Sequence, residues 1–108
     1  MNYKIEVTSY FKHQAKRLIK KFPSLRSELS QLVGLLQSNP EQGTPIGNHC
    51  FKIRIAIASK GKGKSGGGRV ITHVMVRDAK VYLLSVYDKS ELPDITDKDL
   101  LKLLSLIP

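Results

Sequence analysis

The side chains in this sequence best suited to chemistry are cations set among glycines. In SKGKGKSGGGR, residues 59–69, Lys60, Lys62, Lys64 and Arg69 share eleven positions with five glycines, and the tripeptide Gly63-Lys64-Ser65 matches the end of a nucleotide-binding phosphate loop. That loop requires Gly-x-x-x-x-Gly-Lys-Ser/Thr between a strand and a helix, so that backbone N–H groups and a helix N-terminus converge on the phosphates. Here the position of the first glycine holds Ala58, and the following RVITHVMV (69–76) is short and β-branched, the pattern of a strand. A nucleotide cofactor is therefore not expected, and the basic loop needs another ligand.

Further cations lie close by in sequence. Lys52 and Arg54 alternate with apolar residues in FKIRIAIA (51–58), while Tyr87 and Lys89 close and follow the apolar run KVYLLSVY (80–87). Such a set suits RNA. Arginine binds a phosphate bidentately and stabilises the dianionic phosphorane formed when a ribose 2′-OH attacks it. A lysine crowded by like charge is pushed toward a lower pKa and can serve as a base, and a tyrosine can stack on a nucleobase or relay a proton. This route needs no metal. His13, His49 and His73 show no ligand spacing with Cys50 or with paired carboxylates. His49 and Cys50 are neighbours whose side chains face opposite ways on a strand, so they form no nucleophile–base pair, and Cys50 and His73 read as structural residues.

The charge distribution points the same way. The chain of 108 residues carries a formal net charge of +9, a field that attracts polyanions. No Asp or Glu occurs from residue 42 to 77, against seven Lys and Arg, nor from 7 to 27, where Lys12, Lys16, Arg17, Lys20, Lys21 and Arg26 lie. Two acid-free basic blocks favour a nucleic acid partner. The length fits one domain, 1–108, and the composition is globular. There is no apolar run long enough to span a bilayer and no signal-peptide core, so the expected location is cytoplasmic with no membrane partner. A single cysteine rules out an internal disulfide.

The elements that must position these groups follow from periodicity. YKIEVT (3–8) alternates as a half-buried strand. With Ser9 as N-cap, Phe11, Ala15, Leu18, Ile19 and Phe22 form the apolar stripe of a helix whose other face is basic. Pro23 and Ser24 break and restart the chain. Leu25, Leu29, Leu32, Val33 and Leu36 then mark a second helix to about Asn39, and EQGTPIGN (41–48) reads as a loop. Residues 51–58, 69–76 and 80–87 read as an antiparallel meander, with Phe51, Ile53, Ile55 and Ile57 toward the helices and Lys52 and Arg54 away from them. The last strand should be central and buried on both faces. Thr96-Asp97-Lys98-Asp99 resembles a capping box opening a short C-terminal helix. The expected class is α+β, in the order β-α-α-β-β-β-α.

This order, together with Cys50-Phe51-Lys52-Ile53-Arg54-Ile55 and Lys64-Ser65-Gly66-Gly67-Gly68-Arg69-Val70-Ile71, resembles the RelE/ParE superfamily of bacterial toxins. The lysine-glycine insertion before Arg69 is most similar to its RelE-like and HigB-like branch. The resemblance runs from Tyr3 through Asp88-Lys89-Ser90-Glu91. It implies the toxin of a type II toxin–antitoxin pair, an mRNA interferase that cuts mRNA in the ribosomal A site without metal or other cofactor. The implied partners are a cognate antitoxin, the ribosome and mRNA. By matching motifs, Lys52 and Arg54 would hold phosphates and share the base role, Arg69 would stabilise the phosphorane, and Lys89 would stand at the leaving-group side in place of an arginine. Tyr87 would substitute by proximity for a tyrosine that RelE carries beyond the last strand. Lys60, Lys62 and Lys64, with Lys16 and Lys20, are the expected RNA-binding lysines. The alternatives are a ParE-like toxin that binds DNA gyrase and a non-catalytic RNA-binding module.

Overall fold

The computed structural model describes residues 2–61, 63, 66–92 and 94–108. The chain runs β1 (Lys4–Val7), α1 (Ser9–Lys21), α2 (Leu25–Ser38), β2 (Thr44–Gly47), β3 (Cys50–Ile55), β4 (Gly68–Met75), β5 (Lys80–Asp88) and α3 (Asp97–Leu104), with 3-10 turns at Ala58–Lys60 and Val76–Asp78. The strands form one open sheet in the order β1-β5-β4-β3-β2, antiparallel except that β1 lies parallel to β5. The α+β class and the helical hairpin are as expected; the sheet has one strand more.

That strand is β2. Its Pro45 and Gly47 suggest a loop, yet proline is tolerated on an edge strand, where its missing donor would face outward. β2 returns through a two-residue turn in which Asn48 and His49 both adopt left-handed backbone (φ 56° and 57°), the turn geometry that matches the twist of a hairpin. β3 is shorter than the alternation 51–58 implies, because the chain turns at Ala58. Ile57 is nonetheless fully buried, completing the row begun by Phe51, Ile53 and Ile55.

One sheet face packs on the helical hairpin. Phe11, Leu18, Leu25, Leu32 and Leu36 meet Ile53, Ile55, Val70, Val74 and Val81 in the larger core. The other face carries a smaller core, in which Leu100 and Leu103 of α3 cover Cys50, Ile71, Tyr82, Leu84 and Tyr87. α3 opens with the expected capping box, Thr96 Oγ1 accepting from the Asp99 amide and the Asp99 carboxylate accepting from the Thr96 amide. Two other caps differ from the sequence reading. Thr8 rather than Ser9 caps α1, because its extended backbone lets Oγ1 accept from the Phe11 amide at 3.1 Å. Ser24 precedes α2 without capping it; its hydroxyl donates to Glu28 and accepts from the Ser59 amide.

A β-bulge decides what the second face displays. Across β4 and β5, Ile71 opposes Ser85 but Thr72 opposes Leu83, so β5 holds an extra residue. Val81, Leu83 and Val86 therefore face the helices, whereas Tyr82, Leu84 and Tyr87 face α3. Without the bulge, strict alternation would turn Tyr87 into the larger core. Gln14 of α1 serves the bulge, its Oε1 accepting from the Val86 amide at 3.1 Å and from Ser85 Oγ at 2.9 Å.

Candidate nucleic-acid interface

On the α3 side of the sheet, β3, β4 and β5 place Arg54, Arg69 and Tyr87 in one cross-strand row. Directly opposed residues stand about 4.5–5.5 Å apart at Cβ, and like charges so placed are destabilising. The opposed pair Arg54 and Arg69 concentrates positive charge on this face. Lys52 lies on the same face, two residues from Arg54, opposite Ile71.

Their environments differ. Arg54 is exposed. Arg69 is 4% exposed and donates from Nη1 to the Gly68 carbonyl at 2.9 Å, so its guanidinium is set by the strand rather than left to sample solvent. Just before β4, Gly67 packs directly on the backbone of β3, where a Cβ would lie 2.2 Å from the Ile55 carbonyl oxygen. Glycine is required there by space.

Lys52 Nζ pairs with Asp94 at 3.1 Å. The sequence leads us to expect crowding of Lys52 by like charge; it meets a carboxylate instead. The Asp94 carboxyl is held below its ordinary range by the Ile95 amide and by Lys52, with a smaller contribution from the charge of Lys89. Lys89 follows β5, and its amide donates to the Gly67 carbonyl at 3.1 Å, tying the exit of β5 to the entry of β4.

Tyr87 is buried, and its hydroxyl has no hydrogen-bond partner among the described residues. Burial raises its pKa, and the charge of Asp94 adds to the rise while Arg69 opposes it. At neutral pH the phenol is therefore protonated, a state suited to giving a proton rather than taking one.

The remaining sequence-derived residues separate. Lys62 and Lys64 lie outside the described residues. Lys60 is turned inward, its ammonium on Asp88 and 3.3 Å from Ser90 Oγ. Lys16 and Lys20 are exposed on α1, where with Lys12 and Arg26 they rim a groove floored by Phe11, Ala15 and Ile19. That groove belongs to the helical layer, across the sheet from Lys52, Arg54 and Arg69.

Cys50 and His73 oppose each other on β3 and β4, Sγ 3.6 Å from Nδ1, a pairing that reading adjacent residues alone misses. It is not an activated nucleophile. Burial pushes the Cys50 thiol up to about 11, and His73 Nδ1 also lies 3.0 Å from the Asn48 carbonyl, to which it can only donate. Among the described residues no three His, Cys, Asp or Glu side chains are grouped to hold a metal ion, and no helix is long and apolar enough to cross a membrane. The segment after Lys64-Ser65 is β4 rather than a helix, so the architecture of a nucleotide phosphate loop is not formed.

The fold has counterparts among solved structures. A double mutant of the E. coli toxin RelE in the free state superposes over 100% of both chains with a TM-score of 0.62 at 19% identity. The isolated E. coli RelE toxin does so over 97% of this chain and 99% of its own, with a TM-score of 0.61 at 14% identity. A chain of the RelBE2 toxin–antitoxin complex from Mycobacterium tuberculosis matches over 82% of this chain and 99% of its own, with a TM-score of 0.58 at 17% identity. No family model matches the sequence. The chain thus has a RelE-type toxin fold.

Proposed function

We propose that this protein is the toxin of a type II toxin–antitoxin pair and acts as a ribosome-dependent mRNA endoribonuclease in the cytoplasm. The observation that carries the reading is the row Arg54–Arg69–Tyr87, two opposed arginines beside a protonated phenol, flanked by Lys52. The fold shared with RelE toxins supports it.

In this mechanism Arg54 and Arg69 receive the scissile phosphate. Lys52 exchanges Asp94 for the RNA and, as the free amine, takes the proton of the attacking 2′-OH onto Nζ. Attack forms the O2′–P bond, and Arg69 stabilises the charge gathered on the equatorial oxygens. The P–O5′ bond then breaks, with Tyr87 giving its proton to the departing oxygen and Lys89 adding positive charge on that side. The products are a 2′,3′-cyclic phosphate and a free 5′-hydroxyl. The charge stabilisation is supplied by arginine, so the route requires no metal. Lys62 and Lys64, with Lys16 and Lys20 on the far layer, are proposed as contacts to ribosomal RNA. The partner that silences the protein is an acidic antitoxin, a proposal supported by the toxin–antitoxin complex among the structural counterparts.

Arg69→Ala tests the reading. Cleavage should be lost while binding to ribosomes weakens only modestly. Parallel loss of both would indicate a binding module, and wild-type protein that leaves mRNA intact but inhibits gyrase supercoiling would indicate a ParE-like toxin.

A further inference from the structure

The enclosed pair Lys60–Asp88 is out of character for a surface this basic. Asp88 ends β5, is 1% exposed and stands opposite Gly68. Its Oδ1 accepts from Lys60 Nζ, from the Ser90 amide at 3.0 Å and from Ser90 Oγ at 2.8 Å. Burial alone would raise its pKa, but the bonds from Lys60 and Ser90 outweigh this and hold it below the ordinary carboxylate range. Burying two ions is costly unless geometry and further hydrogen bonds compensate, and here both partners have such bonds.

Lys60 is itself anchored on its other side. It ends the Ala58–Lys60 turn, whose Ala58 amide donates to Glu28 Oε2 at 2.7 Å. Ser59 exchanges two hydrogen bonds with Ser24, amide to hydroxyl in each direction, at 2.7 and 2.9 Å. The turn that opens the glycine-lysine loop is thus fastened to the start of α2 and, through Lys60, to the end of β5. Asp88 lies between Tyr87 and Lys89 in sequence and across from the residue that precedes Arg69. The clamp therefore fixes the relative positions of the groups that the proposed chemistry must align.

We propose that Lys60 and Asp88 are positioning residues: their ion pair clamps the base of the basic loop to the end of β5 and so holds Arg69, Tyr87 and Lys89 in register on the scissile phosphate. This rests on the nuclease reading for its consequence, though not for its structural part. Misplacing reactive groups by about 1 Å costs roughly 10²-fold in rate, whereas a lysine that grips a phosphate reveals itself in affinity and salt dependence.

The test is Lys60→Met, with Asp88→Asn as a second variant that keeps acceptor capacity and shape. Amide exchange followed by NMR reports the clamp without any need for activity. The Ser90 and Lys89 amides should exchange roughly tenfold faster or more in Lys60→Met, while Leu84 and Val86 in the middle of β5 keep their protection. On ribosome-bound mRNA, kcat should fall roughly 10- to 100-fold, with KM and its salt dependence unchanged. Unchanged exchange at Ser90 and Lys89 overturns the clamp whatever the activity. A raised KM with a salt slope shallower by about one charge and an unchanged kcat returns Lys60 to the RNA-binding lysines. If Lys60→Met loses β5 protection throughout, Asp88→Asn decides the matter by the same two readouts. If the wild type does not cut mRNA, the nuclease reading fails and the exchange result alone judges the clamp.

Discussion

Replacing Tyr87 by phenylalanine should move stability and activity in opposite directions. The Tyr87 hydroxyl is buried without a partner among the described residues, and an unpaired buried polar group costs about 1–3 kcal/mol. Removing one oxygen relieves that cost and leaves the ring packed in the smaller core with Leu100 and Leu103. At the low end of the range, about 1 kcal/mol raises Tm by roughly 4–8 °C for a domain near this size. The same change deletes the proposed proton donor, and loss of a general acid lowers kcat by roughly 10²- to 10⁴-fold. Thr72→Val provides the control, because Thr72 Oγ1 is also buried and unpaired among the described residues but lies on β4 away from the Arg54–Arg69–Tyr87 row. It should raise Tm by a similar amount and leave cleavage untouched. The assay pairs thermal melts with single-turnover cleavage of ribosome-bound mRNA. Full cleavage by Tyr87→Phe would remove the phenol from the mechanism, and a lowered Tm would show that the hydroxyl finds a partner and is no liability.

Asp94→Asn frees Lys52 from an exposed ion pair. Such pairs contribute about 0.2–1 kcal/mol, so RNA affinity should rise at low salt by about 1.4- to fivefold, measured by fluorescence anisotropy, and the gain should fade at high salt. Asp88 has a folded-state pKa below its ordinary value, so its ionised form stabilises the fold above about pH 4, and that contribution is lost as the pH falls through the folded value. Tm should therefore hold level down to about pH 5 and drop steeply below pH 4, and Asp88→Asn should flatten the drop. Cys50, buried and with its thiol pushed up to about 11, should resist alkylation at pH 8 until the chain unfolds; rapid labelling of the native protein would contradict its burial.

The sequence was most informative where side chains repeat with a period. The stripe of Phe11, Ala15 and Leu18, the alternation of Phe51, Ile53 and Ile55, and the capping box at Thr96 each answer to a local rule, and the structure follows them. β2 escaped because Pro45 and Gly47 oppose strand propensity, while the deciding feature is the left-handed pair Asn48-His49, for which the asparagine was the only visible signal. Thr8 displaced Ser9 as cap because the end of β1 sets the backbone there, a tertiary effect. Within the site, alternation alone assigns Lys52 and Arg54 to one face, but the placing of Tyr87 beside Arg69 depends on a bulge in β5, opposite Ile71 and Thr72, that no propensity announces. The fate of Lys60 was illegible for a related reason. In sequence it is one of three lysines in a glycine-rich loop, and only the folded chain brings Asp88 to it from 28 residues away.

The most direct test of the central claim is to add the purified protein to ribosomes stalled on a defined mRNA, with free mRNA in parallel and EDTA present in both, and to map new 5′ ends. The account predicts cuts within the A-site codon on the ribosome only, carrying 5′-hydroxyl ends and absent with Lys52→Ala and Arg69→Ala. Intact mRNA in both reactions, or cutting that persists in the Arg69→Ala protein, would contradict it.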